Sequence, residues 1–183
     1  METVIIYCSN CGNTKKYAED LATRVGGSAY PLKRGWWLKA KKADTIVFGG
    51  WVMGNTIKGL NKFLSHYDKM KGKNVIIFSC GMSFASKEAR ELLIEQNILD
   101  MYHVRFYQLR GGFDASKLKF PYSFLMNNSL KMVQNDPNAS PDQKALLGVK
   151  NVPIFFYDQE KIDRMTTVIN SLSLVVEAKS EDK

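Results

Sequence analysis

The feature that most constrains this chain is a set of short, unbroken apolar runs rich in β-branched residues. Val4–Cys8, Thr45–Gly49 and Asn74–Ser79 are the clear ones, Val104–Leu109 is mixed, and Ser28–Leu32 is weaker. A strand with one wet face alternates apolar and polar side chains; one that is apolar throughout has both faces covered. That happens when strands run parallel and their crossovers lay helices on each side of the sheet. The stretches between the runs have helical spacing. Tyr17, Leu21, Ala22 and Val25 share one face, and Gly26-Gly27 supplies a stop. Ile57, Leu60, Phe63, Leu64 and Tyr67 repeat likewise, and Ala89, Leu92, Leu93 and Gln96 follow Ser86, a capping residue with Glu88 nearby. Ile162, Met165, Val168, Ile169 and Leu172 make a last amphipathic face. This alternation predicts an α/β fold, a doubly wound five-stranded parallel sheet with right-handed crossovers.

The chain has 183 residues, which suits one domain over 1–183. The segment of about 111–157 breaks the rhythm between the last strand and the last helix, where a short loop would suffice. It reads as an insertion, with an amphipathic stretch from Leu118 to Val133 and a polar turn region from Asn135 to Pro141. The charged tail, 177–183, is expected to fray. No run of ~18 apolar residues is present, so a spanning helix is not expected. Met1-Glu2 leads straight into Thr3–Tyr7 without a basic segment, which argues against a signal peptide and for a cytoplasmic protein. The cysteines number three, an odd count that suits a reduced chain better than a disulfide framework.

In open α/β sheets ligands sit beyond the carboxyl ends of the strands. The loop after the first strand reads Ser9-Asn10-Cys11-Gly12-Asn13-Thr14 and then enters a helix. Free backbone N–H groups and the positive dipole end favour a phosphate there, with hydroxyls from Ser9 and Thr14 and charge from Lys15 and Lys16. A Walker loop is excluded because no Gly-Lys-Ser/Thr end is present, and no Gly-x-Gly-x-x-Gly occurs. A phosphatase loop of Cys, five residues and Arg is excluded too: six positions beyond Cys8 and Cys11 stand Thr14 and Tyr17. A receiver domain would need acidic residues where Cys8-Ser9-Asn10 stand.

The Ser9–Thr14 loop, placed between a strand and an amphipathic helix, resembles the first loop of the flavodoxin-like family, Ser/Thr-x-Thr-Gly-x-Thr, with Cys11 in place of a threonine. The resemblance covers roughly residues 3–110 and 158–175. It implies strand order 2-1-3-4-5 and FMN as cofactor, its ribityl phosphate held by Ser9, Asn10, Cys11, Gly12, Asn13 and Thr14. It also implies that the loops after the next two strong strands flank the flavin ring. These are Gly49–Asn55, with Trp51, Val52, Met53, Gly54 and Asn55 as lining, and Ser79–Phe84, with Cys80, Gly81, Met82 and Ser83 as lining. Trp51 can supply one flat wall, and Met82 or Phe84 the other. The insertion, opening on Leu109-Arg110-Gly111-Gly112-Phe113-Asp114, looks like that of the oxygen-independent protoporphyrinogen oxidases of this superfamily. That likeness implies an FMN-dependent oxidoreductase that oxidises a porphyrinogen or reduces a quinone. No catalytic acid or base is needed, because the flavin carries the electrons. Arg110 and Asp114 are candidates to touch substrate or ring.

Two other functions compete: a non-enzymatic flavodoxin-type electron carrier, and a flavin-free interaction module using the basic face around Trp36-Trp37. The net charge is +8, from 26 Lys and Arg against 18 Asp and Glu. Carrier flavodoxins are typically acidic, so a basic chain suits a substrate with propionates or an anionic membrane face better, as a peripheral contact. Nucleic acid is not an expected partner: Trp36-Trp37 reads as a short helix with one Trp packed on the core. The C-x-x-C of Cys8 and Cys11 reads as packing rather than a redox dithiol, though Cys11 at a helix N-terminus is expected to be somewhat acidic. His66 and His103 make no metal constellation, and both read as surface or packing residues. The Leu118–Val133 stretch is a packed helix, a substrate lid, or an interfacial helix.

Overall fold

The computed structural model describes residues 2–82, 86–118, 120–139, 144, 147–148 and 152–181, without the side chains of 173–181. In chain order the elements are β1 (Thr3–Cys8), α1 (Asn13–Arg24), β2 (Ser28–Pro31), α2 (Trp36–Ala40), β3 (Thr45–Met53), β4 (Thr56–Ile57) and α3 (Leu60–Leu64). Then follow β5 (Asn74–Gly81), α4 (Lys87–Gln96), β6 (Arg105–Arg110), α5 (Tyr122–Asn135) and α6 (Gln159–Glu181). The parallel strands lie in the order β2-β1-β3-β5-β6, which is the expected 2-1-3-4-5 arrangement.

The continuous apolar runs are buried on both faces, as a doubly wound sheet requires. Ile5, Val47, Ile76 and Phe78 meet Leu21 of α1 and Ile162, Met165 and Ile169 of α6 on one side. Val4, Ile6, Ile46, Phe48 and Ile77 meet Trp36, Phe63 and Leu93 on the other. Full burial of each such side chain is worth ~1.5–3 kcal/mol. The strands pack so closely that Gly49 has no room for a side chain: a Cβ there would lie 2.1 Å from Phe78 Cζ. Helix α1 stops where expected. Gly26 takes φ +62, and the Gly27 amide donates to the Ala22 carbonyl at 2.8 Å. Ser86 caps α4 by accepting from the Ala89 amide at 3.1 Å. Trp36 is buried against Phe63 and His66, so the tryptophan pair has one member in the core.

Two local expectations are corrected. The apolar run expected to end at Gly49 continues as β3 to Met53 and turns back through Gly54-Asn55 into β4, pairing Met53 with Thr56. Gly54 has φ +57, the left-handed value a two-residue hairpin needs at its first position. In consequence the helical repeat read from Ile57 to Tyr67 shrinks. Ile57 belongs to β4, α3 is only Leu60–Leu64, and Tyr67 opens a 3-10 turn. Of the tail expected to fray, 177–181 belong to the last helix, and 182–183 lie outside the described residues.

The 111–157 segment is tied at its base. Phe113 and Ile154 form an antiparallel bridge, with amide-to-carbonyl hydrogen bonds of 2.7 and 2.9 Å in the two directions. Helix α5 rises from this stem, burying Leu130 and leaving Phe124, Leu125 and Met132 exposed.

Candidate functional site

A cavity of about 640 Å³ opens at the carboxyl edge of the sheet, within the usual size for a cofactor site. Its first end is the loop from β1 into α1. Gly12 takes φ +94 as the residue before α1 and leaves the helix with no side-chain cap, so its first backbone amides have no partner inside the helix. The Gly12 amide itself donates to Ser9 Oγ at 3.2 Å, folding the loop back on itself. Asn13 Nδ2 donates to the Gly112 carbonyl at 2.8 Å and ties this loop to the base of the insertion. Ser9, Asn10, Cys11, Asn13 and Thr14 all face the cavity, whereas Gly12 is exposed and shapes the loop without lining it.

The second wall comes from the β3–β4 hairpin. Trp51, Val52, Met53, Gly54 and Asn55 line the cavity, the first three as strand residues rather than as the expected loop. Cys80, Gly81 and Met82 at the end of β5 line it as well. Ser83 and Phe84 lie outside the described residues. The roof is the insertion: Leu118, Tyr122 and Met126 reach the cavity, and Tyr122 meets Trp51 edge-to-face at 4.8 Å between ring centroids. Of the lid, packing and interfacial readings of this stretch, its first turns act as a roof.

Arg110 and Asp114 are not among the lining residues. Arg110 lies 3.4 Å over the Phe156 ring, and its carbonyl accepts from the Tyr17 hydroxyl at 2.6 Å. Asp114 is buried. Hydrogen bonds from Ser116 and an ion pair with Lys117 at 3.0 Å hold its carboxyl below the usual range. Both residues serve to anchor the insertion. Besides the roof, six lining residues stand outside the expected set: Ser79 and Gln108 on the sheet, Ala89 and Leu93 on α4, and Gly112 and Phe113 at the base of the insertion. The signal for the first two was present, since each is a polar residue inside an otherwise strand-like run.

Among the described lining residues there is no carboxylate, lysine, arginine or histidine. The polar groups are hydroxyls, amides and thiols. Burial pushes the Cys80 thiol up to about 12, only partly offset by a hydrogen bond with Thr14. Burial also raises the Cys11 thiol, which donates to the Asp114 carbonyl at 3.5 Å, so the expected acidic thiol is not found. All three cysteines are free, and no metal-holding group of His, Cys, Asp and Glu occurs among the described residues. A neutral site of this kind suits a ligand that brings its own reactivity.

These residues fit FMN. Open helix amides and hydroxyls at α1 match a phosphate. Trp51, Val52, Met53 and Met82 give the apolar surface an isoalloxazine needs. Ser79 Oγ and Gln108 Oε1 are buried at the cavity with no hydrogen-bond partner among the described residues, as the polar edge of a ligand would require.

The flavodoxin domain model matches residues 4–140. No curated protein matches the chain. Several solved structures are similar at low identity. A WrbA-like flavodoxin from Agrobacterium tumefaciens is 20% identical, with a TM-score of 0.45 over 54% of this chain and 69% of that one. The Trp repressor binding protein of Bacillus subtilis is 13% identical, with 0.47 over 83% and 97%. A flavoprotein in complex with FMN from Lactobacillus acidophilus is 15% identical, with 0.40 over 60% and 91%. The family assignment rests on the match over 4–140 and not on these likenesses: the chain belongs to the flavodoxin domain family, and FMN is the cofactor for which its cavity carries the residues.

Proposed function

We propose that this chain is an FMN-dependent oxidoreductase, a flavodoxin-like domain whose insertion closes a substrate site over the flavin ring. The observation that carries this reading is the roof. Leu118, Tyr122 and Met126 stand over the cavity with Tyr122 against Trp51. A carrier that hands electrons to proteins needs its ring edge open. A roofed apolar site instead excludes water and selects a small molecule.

FMN, when bound, supplies a two-electron acceptor for hydride. The chain's own residues bind and orient. The α1 amides would hold the phosphate and Trp51 and Met82 would flank the ring, while burial keeps the thiols of Cys11 and Cys80 protonated and out of the chemistry. With no carboxylate, histidine, lysine or arginine among the described lining residues, the reading favours a substrate whose protons exchange with solvent or acceptor. A porphyrinogen or a quinol-forming quinone meets that need. In the porphyrinogen case each turnover would move two electrons and two protons from the macrocycle to a quinone, making a quinol, and three turnovers would complete the porphyrin. The net charge of +8 suits propionates or an anionic membrane surface. The exposed Phe120, Phe124, Leu125 and Met132 support a peripheral membrane contact, and no helix is long and apolar enough to cross a membrane among the described residues.

The test is anaerobic reoxidation of the reduced holoprotein by a soluble quinone, for wild type and for Tyr122→Ala/Met126→Ala. The reading expects FMN affinity within about threefold of wild type and reoxidation slowed about tenfold or more, since the lost contacts lie on the substrate side. Equal rates would remove the insertion from the substrate site. A wild type reoxidised by protein partners alone would favour the electron-carrier reading.

A further inference from the structure

Two polar atoms buried at the cavity lack protein partners among the described residues. Ser79 is fully buried and Gln108 is 7% exposed, yet Ser79 Oγ and Gln108 Oε1 have no hydrogen-bond partner among the described residues. Both line the cavity. Their strands pair so that Ser79 stands opposite Gln108, which puts both side chains on one face of the sheet. A buried carbonyl oxygen without a donor is costly, so such an atom is rare unless something fills its place.

Their position says which part of a flavin fills it. Cys8, Gly50, Ser79 and Gln108 form one row of successive partners across β1, β3, β5 and β6. Neighbouring strands lie ~4.8 Å apart, so Ser79 is roughly 10 Å and Gln108 roughly 14 Å from the strand that leads into the Ser9–Thr14 loop. A phosphate held at that loop keeps the ribityl chain over β1 and β3. The ring is the part of the cofactor that reaches β5 and β6. Its imide edge carries an N–H donor at N3 between two carbonyl acceptors. Gln108 Oε1 needs a donor, and the Ser79 hydroxyl can donate.

We propose that Gln108 and Ser79 read the imide edge of the flavin ring, with Gln108 Oε1 accepting from N3–H and Ser79 Oγ donating to the adjacent carbonyl. The inference rests on the FMN reading. It makes Gln108 a specificity-determining residue for the ring itself, independent of the phosphate loop. The pair then serves both partners: the ring loses no hydrogen bonds on leaving water, and the protein gains the partners its buried atoms lack.

The test is the affinity of the full chain for three flavins, followed by fluorescence quenching: FMN, FMN methylated at N3, and lumiflavin, which lacks the ribityl phosphate. Wild type is expected to bind FMN at least about tenfold tighter than the N3-methyl analogue, the size of one well-made buried hydrogen bond. Gln108→Leu is expected to lose that discrimination and to weaken FMN and lumiflavin by the same factor. Ser79→Ala should weaken both by a smaller, equal factor. Equal wild-type binding of FMN and its N3-methyl analogue would overturn the proposal without any variant. So would a Gln108→Leu effect on FMN that spares lumiflavin, which would place the contact on the ribityl chain. Failure of wild type to bind any of the three would overturn the FMN reading as well, and is distinguished by that pattern.

Discussion

The two ends of the cavity are built in opposite ways. The phosphate end is one continuous stretch, Ser9 to Thr14, whose groups are backbone amides and short polar side chains at the start of α1. The ring end is assembled from pieces far apart in the chain: the β3–β4 hairpin, the ends of β5 and β6, α4 and the first turns of α5. One end depends on local backbone geometry. The other depends on the sheet holding its parts in register and on the Phe113–Ile154 bridge that anchors the insertion. Binding is therefore expected to fail in two separable ways, through the phosphate or through the ring.

The largest expected effect is at the phosphate end. Gly12→Val forces a β-branched side chain onto φ +94 and distorts the loop that presents the α1 amides. FMN affinity should fall about 100-fold while lumiflavin affinity changes less than about threefold, because hydrogen bonds to a charged phosphate are worth ~1.5–3 kcal/mol each. Parallel titrations of the two flavins check this. An equal loss for both would mean the ends are not separable.

The next effect breaks the ring end. Trp51→Ala removes a wall of the cavity and the partner of Tyr122. FMN and lumiflavin should both weaken about tenfold, in line with ~0.5–1.5 kcal/mol for an aromatic contact plus lost burial. A loss confined to FMN would contradict the placement of the ring.

The seam between the two ends gives a smaller effect. Asn13 Nδ2 reaches the Gly112 carbonyl at 2.8 Å and joins the phosphate loop to the insertion. Asn13→Ala should cost ~1 kcal/mol of stability, read by denaturant unfolding. It should also speed proteolysis within 114–150 before it alters flavin affinity.

The effect that is smallest at neutral pH, where it is absent, is a pH dependence that appears only in alkali. Cys80 titrates at about 12 in the folded protein because it is buried, against an ordinary value of 9.0. Between these values the unfolded chain loses the thiol proton while the folded chain keeps it, so this group's contribution to stability declines as pH rises above 9. Cys80→Ala should flatten that decline, measured by thermal unfolding between neutral and strongly alkaline pH. An unchanged slope would show that other groups control it.

The same contrast explains what was legible in the sequence. The sheet was readable because Val4–Cys8 and Ile46–Phe48 are apolar at every position, a pattern that physically demands two covered faces. The phosphate loop was readable because its residues are adjacent. The β3–β4 hairpin was not: Met53-Gly54-Asn55-Thr56 is a hairpin signal, but the apolar spacing through Ile57 and Leu60 mimics a helix and masked it. Gln108 and Ser79 were visible as polar residues in strand-like runs, and Ser79 opened a loop expected to flank the ring, but only the pairing of β5 with β6 shows that both face the cavity side by side. The pairing of Tyr122 with Trp51 spans two distant segments, and no periodicity carries such a contact. Cys11 was misjudged because a helix N-terminus is visible in sequence and burial is not.

The measurement that tests the central claim most directly is an absorbance spectrum of the freshly purified protein, followed by FMN titration of any flavin-free fraction. The account predicts a flavin spectrum, or micromolar or tighter uptake of FMN with quenching of its fluorescence. A colourless protein that refuses FMN would contradict it, and the basic face around Trp36 and Trp37 would then be the place to look for a partner.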